Sequence, residues 1–414
     1  MNYDVAVIGG GPAGMIAAGR AALAGARVVL LEKNSRPGAK LLLTGGGRCN
    51  FTNVHLPARM MADRYGPNGK FFISALTRFD ADAAIAFFAE HDIPSKIEDR
   101  GRVFPCSDRA EDVLNALLGF LKKNNVAIMT GVAISAFARQ NARIEKVIAT
   151  SGEAIIADNY ILATGGKSYT VTGSTGDGYR WLEELGHSVI APAPALCAIL
   201  TEGPTAGYLQ GLSLKDLPVA AFKEGKKIAG SVGDLLFTGN GLSGPAVYDI
   251  SYAVGKNLPG EVTVSIDLFP LHDRRETDRI LVELLSSNGK KLLRSVLGKL
   301  LPGRLVPVAL RAWSIDEGKQ VGAVTREERH KIVDFLKNLI FKVAGLADLD
   351  KATVTAGGVS LDEVDSKTMR SKIIDNLFFA GEILDLNGPT GGFNLQICWS
   401  TGMAAGEAAG NTGE

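Results

Sequence analysis

Within the first 32 residues, one arrangement limits the fold more than anything else in the chain. Asp4-Val-Ala-Val-Ile8 is a short apolar run of the kind buried in a parallel sheet. Gly9-x-Gly11-x-x-Gly14 follows at once, then an Ala-rich helical pattern to about Ala24 and a stop at Gly25. A second apolar run, Arg27 to Leu31, closes on Glu32, 18 residues after the last glycine. A GxGxxG by itself is weak, but between a strand and a helix, with an acid at that distance, it marks a dinucleotide-binding βαβ unit. Gly9 permits the tight turn, Gly11 lets backbone approach a pyrophosphate, and Gly14 lets helix and strand pack closely. Pro12 and Ala13 open a helix whose free N–H groups and partial positive charge suit phosphates. Glu32 is expected to accept hydrogen bonds from an adenosine ribose, with Lys33 in the same binding set.

The chain is expected to form two or three domains, since its 414 residues are nearly three times the ~150 of an ordinary domain. Two later apolar strands match the first: Asn159 to Thr164, running into Gly165-Gly166, and Leu377 to Ala380, running into Gly381-Glu382. A helix is expected from Ala110 to Lys123, strands at Ala127 to Ala133 and Ile144 to Thr150, and a small-residue helix from Phe393 to Ala409. Between Pro192 and Leu349 the pattern changes to strand-like pieces (Val219 to Phe222, Lys227 to Val232, Leu235 to Thr238, Glu261 to Leu268) and a helical stretch from Arg274 to Trp313. Thr325-Arg-Glu-Glu328 spells a capping box for one more helix. The resulting division is residues 1–191 with 350–414 for the nucleotide, 192–271 with 314–349 for a β-rich insertion, and 272–313 for a helical subdomain.

Glycine decides which dinucleotide. It supplies 49 residues, and they cluster where the sheet strands end: Thr44 to Asn50, Ala163 to Gly166, Gly381-Glu382 and Gly388 to Asn394. An extended FAD needs backbone approach along its whole length, whereas NAD needs little from the far end of a chain, so FAD is favoured. The cofactor set is then Gly47, Arg48, Cys49, Asn50, Val132, Ala163, Thr164, Gly165, Gly381, Glu382, Gly391, Gly392, Phe393 and Asn394. Glu382 is placed to hold a ribityl hydroxyl, and the helix from Gly391 aims its positive end at the flavin edge that becomes negative on reduction. Lys40 and Arg48 are candidate pyrophosphate neighbours, though a surface place suits Lys40 equally well. A second GxGxxG, Gly239 to Gly244, is read as a loop facing flavin or substrate, because only about three turns of helix follow it.

Together Lys40 to Asn50, Ala163 to Tyr169, Thr172 to Gly178, Thr238 to Pro245 and Gly388 to Gln396 resemble the BaiN/YhiN-type NAD(P)/FAD-dependent oxidoreductases, also described as aminoacetone-oxidase-type FAD-binding flavoproteins. The resemblance spans nearly the whole chain. It implies an α/β fold: a glutathione-reductase-type FAD-binding Rossmann domain with an inserted β-rich domain and a small helical domain. It also implies an FAD-dependent oxidoreductase, with NAD(P)H as donor and a small organic substrate carrying an activated C=C bond. An O2-using oxidase of a small amine is the alternative. A flavin-bound redox sensor contacting nucleic acid or a partner is a third reading, from another class. The chain departs from the family's pattern at Thr170, where a proline is expected, and at Gly239, where many members carry a histidine.

Tyr169 and Cys49 are the candidate catalytic residues, as proton donor and flavin-facing thiol, each weighed against a plain packing role. The five histidines show no metal spacing, and Cys49, Cys106, Cys197 and Cys398 form no CxxC. Reduced thiols, and no leader or membrane span, lead to the expectation of a cytoplasmic protein. Lys plus Arg exceed Asp plus Glu by only one, 45 to 44, which argues against a general polyanion binder. Between His272 and Arg311 nine cations face four acids, a local excess read as the solvated faces of amphipathic helices, with nucleic acid an unlikely partner.

Overall fold

Val5, Ala6 and Val7 are wholly buried, as a strand without polar interruptions must be if layers cover both its faces. The computed structural model describes residues 2–54 and 56–411, and the chain forms two compact units, Met1–Pro194 with Leu349–Glu414, and Ala195–Asp348. In the first unit the opening strand, Asn2–Ile8, lies between two parallel neighbours. Val28–Glu32 pairs on one side, with Ile8 opposite Leu31, and Ala154–Leu162 on the other, with Ile8 opposite Leu162. Ala127–Thr130 extends the parallel sheet outward, and Leu377–Phe379 pairs in parallel with Ala154–Leu162. All five strands therefore present their carboxyl ends at one edge, where open α/β sheets bind ligands. Ile134–Gln140 and Arg143–Ala149 continue the sheet as an antiparallel pair.

The helix Pro12–Leu23 follows the glycine turn, and the closing helix, Phe393–Gly410, lies against it. Gly402, Gly406 and Gly410 fall four apart on the closing helix. A methyl group on them would lie 2.7 Å from the Ala13 carbonyl oxygen, 2.3 Å from that of Ala17 and 2.8 Å from that of Ala21. Backbones meet where side chains ordinarily would, which explains the Ala- and Gly-rich composition of both helices.

In the second unit, Ile199–Thr201, Gly241–Ser243, Lys226–Thr238, Ser213–Lys223, Val262–Ile266 and Leu339–Leu346 close a barrel, every pairing antiparallel. Phe237, Val264 and Phe341 share one apolar core with Leu281, Leu297, Leu310 and Trp313 of the helices. The helical stretch expected from Arg274 to Trp313 is three helices, Arg274–Ser286, Leu293–Leu297 and Leu305–Trp313, interrupted around Gly289 and at Pro302-Gly303. The capping box forms: Thr325 Oγ1 accepts the Glu328 N–H at 3.2 Å, and Glu328 Oε2 accepts the Thr325 N–H at 2.8 Å. The second GxGxxG is corrected here. Gly241–Ser243 is a barrel strand antiparallel to Lys226–Thr238, so the motif is a hairpin rather than the loop expected, and it lacks the parallel strands of a dinucleotide unit.

His187 is buried in the first unit, with Nδ1 2.9 Å from Glu363 Oε2 and Nε2 2.9 Å from Ser371 Oγ. Burial holds this imidazole below its ordinary 6.5, with the Glu363 carboxylate opposing in part. The folded chain then binds a proton here less readily than the unfolded chain does. The stability from a neutral His187 is complete above pH 6.5 and is lost as pH falls below it. Urea midpoints are expected to drop between pH 7.5 and 5.5, and a His187→Gln variant to show a flatter profile. An equally steep profile in the variant would contradict this. His55 lies outside the described residues, among which no cluster of metal-binding side chains occurs. The four cysteines are free, and no described helix is long and apolar enough to cross a membrane.

Candidate active site

The three motif glycines are glycine for different reasons. A methyl group on Gly14 would lie 1.9 Å from the Gly9 carbonyl oxygen, and one on Gly9, at φ +109°, would lie 2.4 Å from that of Ala163. Gly11 is the exception: nothing stands within 4 Å of its missing Cβ, and its φ of −75° suits any residue. Its smallness serves no packing inside the protein and leaves room at the end of the helix Pro12–Leu23, whose N-cap makes no side-chain hydrogen bond. Glu32 is nearly buried and braces the turn. Its Oε2 accepts the Gly10 N–H at 2.8 Å, and its Oε1 the Asn34 N–H at 2.7 Å. Each oxygen keeps a lone pair for a further donor. Val132 donates its N–H to the Glu32 carbonyl at 2.9 Å, and Lys33 is tied to Asp177 at 2.8 Å.

The Thr44–Asn50 loop bends through left-handed backbone at Gly45, Gly46, Gly47 and Cys49. Beside it the carbonyl oxygen of the Asn50 side chain is buried with no hydrogen-bond partner, as is the Thr164 hydroxyl. Buried polar atoms are rarely left unmet, so such a group points to a partner outside the chain. Cys49 is wholly buried, and burial pushes its thiol up to about 12, which keeps it protonated. Arg48 has partners within the protein. Its guanidinium sits over the Phe104 ring at 4.1 Å and is paired with Glu98 and Asp108, so its charge is already neutralised. Gly391 and Gly392 both adopt positive φ before Phe393, and a methyl group on Gly392 would lie 2.3 Å from the Thr52 carbonyl oxygen. Asn394 holds this turn by bonding both the N–H and the carbonyl of Gly388 at 2.9 Å.

Three residues from distant parts of the chain meet at Glu382. Its Oε2 accepts Lys40 Nζ at 2.8 Å, and its Oε1 accepts the Thr355 N–H at 2.7 Å and Ser168 Oγ at 3.3 Å. Lys40 also donates to Ser168 Oγ at 2.8 Å. Lys40 is therefore an internal counter-ion rather than a surface group. Gly165 and Gly381 have positive φ alongside this cluster, and a methyl on Gly166 would lie 2.4 Å from Thr355 Oγ1. Tyr169 is half-buried in left-handed backbone, and its hydroxyl makes no hydrogen bond among the described residues. Gly10, Ser168 and Thr355 carry this geometry without having been singled out from the sequence. Gly10 stood inside the motif, whereas no sequence signal marks a lone threonine 27 residues before the acid it serves.

The family profile of the HI0933-like protein Rossmann domain matches residues 3–408. The chain belongs to the HI0933-like family. It is 31% identical over 409 residues, 98% of each chain, to a 3-dehydro-bile acid delta(4,6)-reductase of Clostridium scindens. It is 33% identical over 402 residues, 96% of each chain, to a ribosomal RNA dihydrouridine synthase of Haemophilus influenzae. The fold is shared with a 3-ketosteroid delta1-dehydrogenase from Sterolibacterium denitrificans, at a TM-score of 0.56 and 13% identity over the whole of both chains. The resemblance drawn from the glycine-rich phrases is thus borne out, and this HI0933-like chain is an FAD-dependent oxidoreductase. Its residues fit the cofactor: a cradle left open at Gly11, an uncapped helix end, and the unmet Asn50 carbonyl oxygen.

Proposed function

We propose that this chain reduces a C=C bond conjugated to a carbonyl group, drawing hydride from NAD(P)H. What supports it is that two full-length relatives named for unlike molecules share one bond class. The double bonds of a delta(4,6) 3-dehydro-bile acid are in line with its 3-ketone, and the bond saturated in dihydrouridine adjoins a ring carbonyl. Gly9 to Gly14 would take the pyrophosphate, Glu32 the ribose with Lys33 and Val132 beside it, and Glu382 the ribityl chain. Ala163 to Gly165, Gly47, Asn50 and Gly391 to Asn394 would flank the ring. FAD held by these residues would supply two-electron hydride chemistry between the nicotinamide and the alkene carbon remote from the carbonyl. The helix end at Gly392-Phe393 favours negative charge placed there. Tyr169, with its uncommitted hydroxyl, is the proposed proton donor to the other alkene carbon.

Charge favours RNA uracil over a steroid as substrate. The four acids of the 272–311 stretch are all engaged: Glu276 and Glu283 by Arg279, Asp278 by Arg329, and Asp273 as a helix cap. Of the nine cations only Arg274 and Arg279 form ion pairs among the described residues. Arg275 lies beside the Asp273 carboxylate, whereas Lys290, Lys291, Arg294, Lys299, Arg304 and Arg311 remain uncompensated among the described residues, a footprint for phosphates.

Anaerobic stopped-flow tests the reading. NADH or NADPH is expected to bleach the flavin, and a uridine-containing RNA or a conjugated 3-keto steroid to restore its colour. Bleaching by small amines alone, with peroxide formed on admitting air, would instead establish the oxidase.

A further inference from the structure

Tyr208 ends the short helix Thr205–Tyr208 of the barrel unit, and 56% of it is exposed, so it adds little to the core. Two arginines are nevertheless gathered around it. Arg304 Nη2 donates to the Tyr208 carbonyl at 3.3 Å, and the Arg311 guanidinium stands 5.1 Å from the ring centroid. They sit seven residues apart, at the start and in the last turn of the helix Leu305–Trp313, and so share one of its faces. Both belong to the uncompensated set, and the Tyr208 hydroxyl has no hydrogen bond among the described residues. The adjoining segments add no bulk: Gly207 packs on the Gly239 carbonyl, and the Gly211 N–H bonds the Phe237 carbonyl at 2.9 Å. A half-exposed aromatic ring with one guanidinium over it and a second bonded to its carbonyl, neither in an ion pair among the described residues, suits a single-stranded nucleotide, because a base stacks on exposed ring surface while cations follow its backbone.

Building on the RNA reading above, we infer that Tyr208, Arg304 and Arg311 form a docking platform for an unpaired nucleotide of the RNA. Its base stacks on Tyr208, and its flanking phosphates lie against the two arginines.

The test is fluorescence anisotropy of a labelled RNA hairpin with a uridine-rich loop, titrated with the FAD-loaded full chain at several salt concentrations. Tyr208→Ala is expected to weaken binding about tenfold with an unchanged salt slope, and Tyr208→Phe to bind as wild type does. Arg304→Ala/Arg311→Ala is expected to lower the slope of log K against log salt by about 1.4, the share of two phosphates on a single strand. Flavin absorbance and melting temperature, expected to stay at wild-type values, report that the fold is intact. If wild type binds and the variants bind equally well with the same slope, the platform is wrong while the RNA reading stands. If wild type fails to bind even at low salt, the RNA reading itself is overturned, and the platform with it.

Discussion

Replacing Gly11 by valine is expected to yield a folded protein that has lost its yellow colour. The substitution adds its side chain where no protein atom stands within 4 Å, on backbone that valine adopts freely, so the apo protein should melt as wild type does. The room it fills is the approach to the helix N-terminus, and FAD affinity should fall at least about a hundredfold, or ~2.7 kcal/mol. Gly14→Ala gives the opposite pattern. Its methyl would lie 1.9 Å from the Gly9 carbonyl oxygen, and the clash can be relieved only by moving backbone, at about 3 kcal/mol or more. Urea denaturation of the flavin-stripped proteins separates the two. Equal destabilisation by both would mean that Gly11 serves packing and not a ligand.

Glu382→Gln is the second substitution expected to act strongly. It removes the charge opposite Lys40, whose side chain is only 21% exposed, and leaves that ammonium uncompensated. Breaking a wholly buried pair costs ~3–5 kcal/mol, and the partial exposure here brings the expectation to about 2 kcal/mol. Lys40→Met/Glu382→Gln should recover about half of that loss, because no lone charge remains. FAD binding should not recover with it. If Glu382 holds the ribityl chain, both variants lose a charged hydrogen bond and bind FAD about tenfold more weakly. Recovery of FAD affinity in the double variant would place Glu382 in the scaffold alone.

The first unit could be read from its residues because its constraints are local. Gly9, Gly11, Gly14 and Glu32 are set by one turn and one helix, and the unbroken runs at Asp4 to Ile8 and Asn159 to Thr164 leave few alternatives to a buried parallel strand. The barrel was less legible. Ser213–Lys223 and Lys226–Thr238 are long strands whose register shifts at Leu214/Leu217 and Ala221/Phe222, and such irregularities split the alternation into apparent fragments. In the candidate site, Glu382 announced itself at a strand end, but its partners did not. Ser168 lies 214 residues from it and Lys40 342, and nothing in the neighbourhood of either foretells a contact made only when the sheet assembles. Arg48 shows the converse hazard. A cation in a glycine loop suggests phosphate, yet Glu98 and Asp108, distant in sequence, had already claimed it.

Hydrogen exchange compared between flavin-stripped and FAD-loaded protein tests the convergence of these segments most directly. The account predicts that FAD slows exchange together at residues 9–14, 45–50, 163–165, 381–382 and 391–394, while Leu377–Phe379 and the rest of the sheet core stay unchanged. Protection confined to residues 9–14 would show that only the nucleotide end is held, and would contradict a single cofactor embraced by all five.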